Sequence, residues 1–328
     1  MLSLDEAAAT ARIAESLRLQ VGQVLKRRGL VVGMSGGVDS SVCAGLAVRA
    51  LGAKRVFGLF MPERDSDPDS LKLAQEWADA LGIDYTVEDI APTLAAVGCY
   101  ERRDAAIRKI VPEFGPDWKM KIVLPGNRLE SDRLNTYELV VCSPDGALQT
   151  LRLPPDVYRT IVAATNFKQR VRKTMEYYHA DRLHYAVIGT PNRLEYDQGF
   201  FVKGGDGLAD VKPIAHLYKT QVYRLAEYLG VPAGVTRRPP TTDTYSLPQS
   251  QEEFYFSLPA RTMDLVLHAH NAGLDAEDAA TALGLEPEQV GRAYLDIERK
   301  RSTTRYLHLA PLLVDAVPEV HTDVTDVA

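Results

Sequence analysis

Apolar residues Leu2, Ile13, Leu17, Val21, Val24 and Leu25 fall near helical spacing, with charges on the opposite face. This predicts an opening amphipathic helix of about 20 residues that covers a sheet. The period then changes. "GLVVGM", "RVFGLF" and "IDYTVEDI" read as strands, and the intervening "DSSVCAGLAVRALG" and "DPDSLKLAQEWADALG" are helical in period and end in glycine. A further helix, "FKQRVRKTMEYYHADRL", precedes the strand "HYAVIGT", and "YKTQVYRLAEYLG" is a helix again. Strand and helix in alternation predict an α/β fold with a doubly wound parallel sheet.

The alternation breaks over residues 115–160, where "MKIVLP", "TYELVVCS" and "ALQTLRL" read as short strands. The last two are joined by "PDG", a hairpin turn, so the segment is expected to be an inserted β-hairpin. Beyond Tyr228, the polar "RRPPTTDTYSLPQSQEEF" leads to helices expected at 258–272, 275–284 and 286–300. Asp275 is placed to cap one of them, and Pro287 stands at a first helical position. These predict one domain over residues 1–302 with a C-terminal helical appendage at about 250–302, and a tail at 303–328 whose last residues fray.

A chain of 328 residues, 45% hydrophobic, can fill the core of one large domain. The net charge of −6 argues against a general nucleic-acid binder. Cys43, Cys99 and Cys142 are too scattered for a disulfide framework or a zinc site and are expected as reduced packing residues. The N-terminus lacks the pattern of a signal peptide, and no window reaches the length of a bilayer span, so a cytoplasmic protein without a membrane partner is expected.

The chemistry concentrates in "MSGGVDSS", Met34 to Ser41, between the first strand and a helix. Ligands of parallel sheets bind at the carboxyl ends of strands, where this stretch lies. Gly36 and Gly37 allow close approach of the backbone to an anion, while Ser35, Ser40, Ser41 and the first-turn N–H groups offer donors. Asp39 would repel a phosphate unless a divalent cation lay between them, which points to magnesium. Glycines and serines between a strand and a helix are common, so the pair alone would mean little. The stretch has neither the P-loop spacing nor Gly-x-Gly-x-x-Gly.

As a whole the signature resembles the pyrophosphate loop of the N-type ATP pyrophosphatases, which activate a carboxylate or similar group as an adenylate. Residues 166–220 resemble the NAD synthetase family within that superfamily. Gly189, Thr190 and Glu195 match its Gly-Thr-x-x-x-x-Glu motif; Phe201, Lys203, Gly205, Asp206, Gly207 and Asp210 match its Phe-x-Lys-x-Gly-Asp-Gly-x-x-Asp stretch; and the spacing to Lys219 is kept. The resemblance implies an adenine nucleotide alpha hydrolase-like fold and an ammonia-dependent ligase without a glutaminase domain. Such an enzyme makes NAD from deamido-NAD, ATP and ammonia, releasing AMP and pyrophosphate.

By the same resemblance Asp39 and Lys219 are the candidate catalytic residues, and Asp39 and Glu195 the magnesium ligands. Thr190, Lys219 and Thr241 join the loop residues in binding ATP, and Arg170, Lys203 and Asp210 bind the dinucleotide. Near the C-terminus Arg299 and Lys300 stand where the compact enzymes carry a His-Lys lid, and the loop after Thr241 also departs from them. These departures keep open a ligase that amidates a different carboxylate. A regulator that has lost catalysis would have no need of Asp39, Glu195 and Lys219 together. A homodimer is implied, with ammonia taken directly or supplied by a separate protein. His179, His184, His268 and His270 have no ligand-like spacing, and Tyr177 and Tyr178 read as core and rim.

Overall fold

The computed structural model describes residues 2–124, 137–238, 244–250, 255 and 259–320. Its strands are β1 (Leu30–Gly33), β2 (Val56–Phe60), β3 (Asp84–Val87), β4 (Lys119–Val123), β5 (Glu138–Cys142), β6 (Leu148–Arg152) and β7 (Ala186–Ile188). The main sheet has the order β3-β2-β1-β7, and all its pairs are parallel, with Leu30 opposite both Val56 and Ala186. Strand order therefore reverses at β1. That reversal opens a crevice at the carboxyl end of β1, where the glycine loop begins.

Before the inserted segment come α1 (Glu6–Leu19), α2 (Val38–Leu51), α3 (Pro68–Leu81), α4 (Ala91–Ala96) and α5 (Cys99–Ile107). After it come α6 (Pro155–Leu183), α7 (Arg193–Gln198), α8 (Lys219–Leu229), α9 (Ala233–Thr236), α10 (Ala260–Asn271), α11 (Ala276–Leu283) and α12 (Pro287–His308). The side chains of β1 alternate between two cores, as strand geometry requires. Leu30 and Val32 pack with Leu17, Leu46, Trp77 and Val222 of α1, α2, α3 and α8. Val31 faces the other way, onto Leu94 of α4, Tyr100 of α5 and Phe167 of α6. Helices on both faces make the sheet doubly wound, as the alternation predicts. The opening helix is α1 followed by a π-helical turn, Gln20–Val24, with Asp5 accepting from Ala8 N at 2.9 Å as its cap.

The inserted segment exceeds the expected hairpin. β5 and β6 do form one, with Gly146 at φ +88 in its turn and Ser143 N donating to Ala147 O at 3.0 Å. β4 also pairs antiparallel with β5, giving a three-stranded sheet. The third strand completes a face: Met120 and Ile122 join Leu139 and Val141 over Ile107, Phe114, Val157 and Ile161. The insertion also ends earlier than residue 160, because α6 starts at Pro155 and runs unbroken for 29 residues.

At the C-terminus Asp275 caps α11 by accepting from Asp278 N at 2.8 Å, and α12 begins at Pro287, both as expected. α12 continues past residue 302 to His308, with Arg301 paired to Asp197 at 2.7 Å. Leu194, Tyr218, Met263, Leu267 and Ile297 form one apolar cluster, which packs α10 and α12 against α7 and the start of α8. Among the described residues no helix is long and apolar enough to cross a membrane.

Candidate functional site

The loop from Met34 to Gly37 carries the chain from β1 into α2. Gly36 has φ +76, and a Cβ there would collide with the carbonyl oxygen of Ser70. Both the conformation and the space thus require glycine. Gly37 N donates to Ser35 Oγ at 3.3 Å, Ser35 and Ser40 hydroxyls meet at 3.2 Å, and Ser40 Oγ donates to Gly37 O at 3.0 Å. The loop is thereby held in shape, with the N–H groups of the first turn of α2 lacking intrahelical acceptors. Ser41, expected to face ATP, lies behind the loop instead. Its hydroxyl donates to Gly37 O at 2.9 Å, its carbonyl accepts from Trp77 Nε1 at 2.9 Å, and it is buried.

Asp39, in the first turn of α2, forms an ion pair with Lys219, the first residue of α8. The ammonium is almost fully enclosed, at 3% side-chain exposure, while the carboxylate keeps 17%. Burial alone would pull the Lys219 pKa down, but the charges of Asp39 and Glu195 outweigh it and hold the lysine above its ordinary range. From α10, the buried Asp264 accepts from the backbone N–H of Lys219 at 3.1 Å and of Thr220 at 2.7 Å. It fixes the start of α8 from outside that helix.

Asn192 links the two carboxylates expected to hold a metal. Its side-chain nitrogen donates to Asp39 Oδ1 at 3.1 Å. Its side-chain oxygen accepts from Leu194 N at 3.0 Å and Glu195 N at 3.3 Å, while Glu195 Oε2 accepts from Asn192 N at 3.1 Å. This capping box sets the first turn of α7. Burial first, then the charges of Asp39 and Glu195, push the Cys43 thiol well above its usual pKa, so both carboxylates act on one small region. Hard carboxylate oxygens suit a small divalent cation. Two carboxylates do not fill the octahedral shell of such a cation, which would take its remaining ligands from phosphate oxygens and water.

Ser35, Gly36, Gly37, Asp39, Ser40, Thr190, Glu195 and Lys219 all line one cavity of about 470 Å³. Its further walls include Arg238, which donates to Ser70 Oγ at 2.8 Å and pairs with Asp67 at 2.6 Å. α6 adds Gln169, Arg172 and Glu176. Burial raises the pKa of Glu176 against the pull of Lys173, 2.5 Å away, and burial likewise raises that of Asp206, which accepts from Val202 N at 2.7 Å. Sequence reasoning missed Asn192, Asp264, Arg172 and Arg238 as site residues. Only Asn192 had a local signal, an asparagine three positions before a glutamate at a helix start.

The expected dinucleotide residues do not join this cavity. Arg170 Nε donates to Lys203 O at 3.3 Å, and Lys203 Nζ donates to Tyr306 O at 2.8 Å and Leu309 O at 3.4 Å, at the end of α12. Asp210 accepts from Val187 N at 2.7 Å and from the Tyr177 hydroxyl at 3.2 Å. The expected lid is also divided. Arg299 is exposed, whereas buried Lys300 pairs with Asp296 at 3.0 Å and donates to Tyr255 O at 2.8 Å, fastening a residue that lines the cavity. Thr241 lies outside the described residues. His179 and His270 are paired with Glu88 and Glu298, in keeping with structural roles, and Tyr178 is exposed.

The family model described as NAD synthase matches residues 9–112 and 147–305. The chain is 61% identical over 319 residues to an NH(3)-dependent NAD(+) synthetase of Rhizobium meliloti (strain 1021), covering 97% of this chain and 95% of that one. Among solved structures, an NMN synthetase from Francisella tularensis superposes with a TM-score of 0.64 at 20% identity, covering 96% and 100% of the two chains. An NH3-dependent NAD synthetase from Campylobacter jejuni superposes with a TM-score of 0.61 at 20% identity, covering 95% and 100%. These two likenesses are of fold.

Proposed function

Since the chain belongs to the NAD synthase family, we propose that its cavity is the site where ATP activates a carboxylate for attack by ammonia. The protein is an ammonia-dependent NAD synthase, a ligase that forms the amide of NAD from deamido-NAD. The convergence of Asp39, Glu195 and Lys219 on the loop at Ser35–Ser40 is the observation that carries the assignment of the site.

In the first half-reaction a carboxylate oxygen of deamido-NAD attacks the α-phosphorus of ATP, and the bond to pyrophosphate breaks. In the second, ammonia attacks the activated carbonyl carbon, the bond to AMP breaks, and nitrogen gives up a proton. The amides at the start of α2 and the hydroxyls of Ser35 and Ser40 would bind the phosphates. Lys219 would stabilise charge gathering on the leaving pyrophosphate, since its enclosed ammonium is held by the ion pair with Asp39 before the reaction. Asp39 and Glu195 would hold a divalent cation, magnesium, whose charge neutralises the triphosphate when it is bound. Thr190 would contact the nucleotide beside them. Arg170, Lys203, Asp210 and Arg299 lie away from this cavity; a role for them toward the dinucleotide would require a surface completed by a second copy, consistent with a homodimer. A cytoplasmic location, with ammonia taken free or from a separate protein, completes the reading.

The test is turnover by purified protein with Mg-ATP, ammonia and deamido-NAD, following AMP and NAD together. Equal formation of the two is expected. AMP release without deamido-NAD, or NAD formation only with glutamine and a partner protein, would refute it.

A further inference from the structure

The inserted three-stranded sheet has no part in the activity as described so far. Residues 113–146, which contain β4 and β5, fall in the gap between the two matched stretches of the family model. Yet this segment reaches the cavity. Tyr137, the residue before β5, lines it together with Tyr158 of α6. The two phenol rings are stacked, with centroids 4.3 Å apart and planes at 11°.

The same sheet also holds a second part of the wall. Along β4, Leu247 N donates to Met120 O at 3.1 Å, Ser246 Oγ accepts from Met120 N at 2.9 Å, and the Gln249 side chain donates to Ile122 O. Just before this clamp, Tyr245 is buried in the inserted sheet's own core and lines the cavity, while Thr244 O accepts from the buried Lys168 at 2.8 Å. The insertion thus supplies one wall residue, Tyr137, and fastens another, Tyr245.

We propose that the inserted sheet is part of the substrate site, with Tyr137, backed by Tyr158, forming a flat wall against which a planar ring of a substrate packs. The inference rests on the activity proposed above. Stacked phenols present a polarisable surface that favours offset contact with another aromatic ring. Both organic substrates carry such rings: ATP its adenine, and the dinucleotide its pyridine and adenine. The shared chemistry is ring stacking, and kinetics separates the two sources.

The experiment compares wild type, Tyr137→Leu and Tyr137→Phe, with ATP and deamido-NAD varied separately and thermal melting recorded. Tyr137→Leu is expected to raise the KM of one of the two substrates roughly 3- to 10-fold, the scale of one aromatic contact. The kcat should stay within about twofold and the melting temperature should be kept, while Tyr137→Phe returns the KM to near wild type. The substrate whose KM rises identifies the ring. The inference is overturned if neither KM moves, or if both KM values and kcat shift together with a lowered melting temperature that Tyr137→Phe does not restore. Should Tyr137→Leu not fold, Tyr137→Thr, which also removes the ring at the same position, carries the same expectation and the same refutation. Wild type that makes no NAD would refute the activity itself; wild-type turnover with indifferent variants refutes only the ring contact.

Discussion

Asn192 and Asp39 are joined at 3.1 Å by a hydrogen bond from the amide nitrogen, while the oxygen of that amide caps the helix carrying Glu195. One side chain therefore sets the spacing of both carboxylates. Asn192→Ala should cost about 1 kcal/mol from the lost cap and lower kcat/KM for ATP by more than that loss explains. Asn192→Asp keeps the cap acceptor but buries a third carboxylate against Asp39, so neither stability nor activity should recover. Melting curves and steady-state kinetics check both, and full activity in either variant would remove Asn192 from the site.

Lys219→Met should lower kcat by about 10²- to 10³-fold, the usual loss when a fixed charge at a reacting centre is removed. Lys219→Arg should not restore it, because a planar guanidinium does not replace a compact buried ammonium. Asp39→Asn should weaken the response of turnover to added magnesium, and chelation followed by excess magnesium should abolish and then restore wild-type turnover. A rate indifferent to chelation would rule out the metal.

Gly36→Ala meets both a left-handed backbone and the Ser70 carbonyl, whereas Gly52→Ala meets only the backbone conformation, φ +82, with open space around it. Strain of this kind is on the order of 1–3 kcal/mol. Gly52→Ala should lose that much stability at most and keep its KM for ATP. Gly36→Ala should lose ATP binding, read by calorimetry, and intact binding would mean that the loop tolerates being displaced from Ser70.

Acid stability should depend on Asp65. Its burial raises the carboxyl pKa, but Lys168 at 2.8 Å and Arg103 at 2.7 Å outweigh burial and hold it below the ordinary aspartate range. A lowered folded pKa gives stability that is present above the unfolded value, about 3.9, and lost as pH falls through the folded one. Asp65→Asn should therefore be less stable than wild type at pH 7, with the gap narrowing below about pH 4. Lys168→Met, which takes from buried Glu63 the ammonium at 2.8 Å while Asp65 keeps Arg103, should cost about 3–5 kcal/mol at pH 7. Denaturant titrations at several pH values measure both, and a gap that widens on acidification would contradict the pairing.

Lys203→Ala removes the cation that meets the last carbonyls of α12. Amide exchange near residues 304–309 should accelerate in the isolated protein, and the KM for deamido-NAD should rise only if the substrate displaces these contacts. Unchanged exchange would show that α12 ends without help from Lys203.

The parallel sheet and the phosphate loop were legible because their signals are local: runs of one period, and glycines with serines inside a single turn. The ends of long side chains were not. Lys168 lies in a segment whose sequence marks only a helix, yet its ammonium is buried on Glu63, 105 positions away in the chain. Lys203 and Lys300 keep the charge expected of substrate contacts but spend it on the carbonyls of Tyr306 and Tyr255. β4 was visible as a strand, but its partner was not, since residues 125–136 part it from β5 and its other edge takes up Ser246–Gln249. Asp264 had no signal, because capping across separate helices leaves no sequence spacing to read.

The unbroken length of α6 has a mechanical meaning. Tyr158 near its start meets the inserted sheet, Lys168 at its middle meets the loop after β2, and Glu176 toward its end packs so closely on β1 that a Cβ on Gly33 would come within 2.8 Å of it. A helix advances about 1.5 Å and turns about 100° per residue, so these three appointments are kept by a single rigid ruler. Adding one residue between Tyr158 and Lys168 would leave the aromatic wall docked and swing everything beyond it by nearly a third of a turn. Chains with this insertion should vary in the loops around α6 far more readily than in its length.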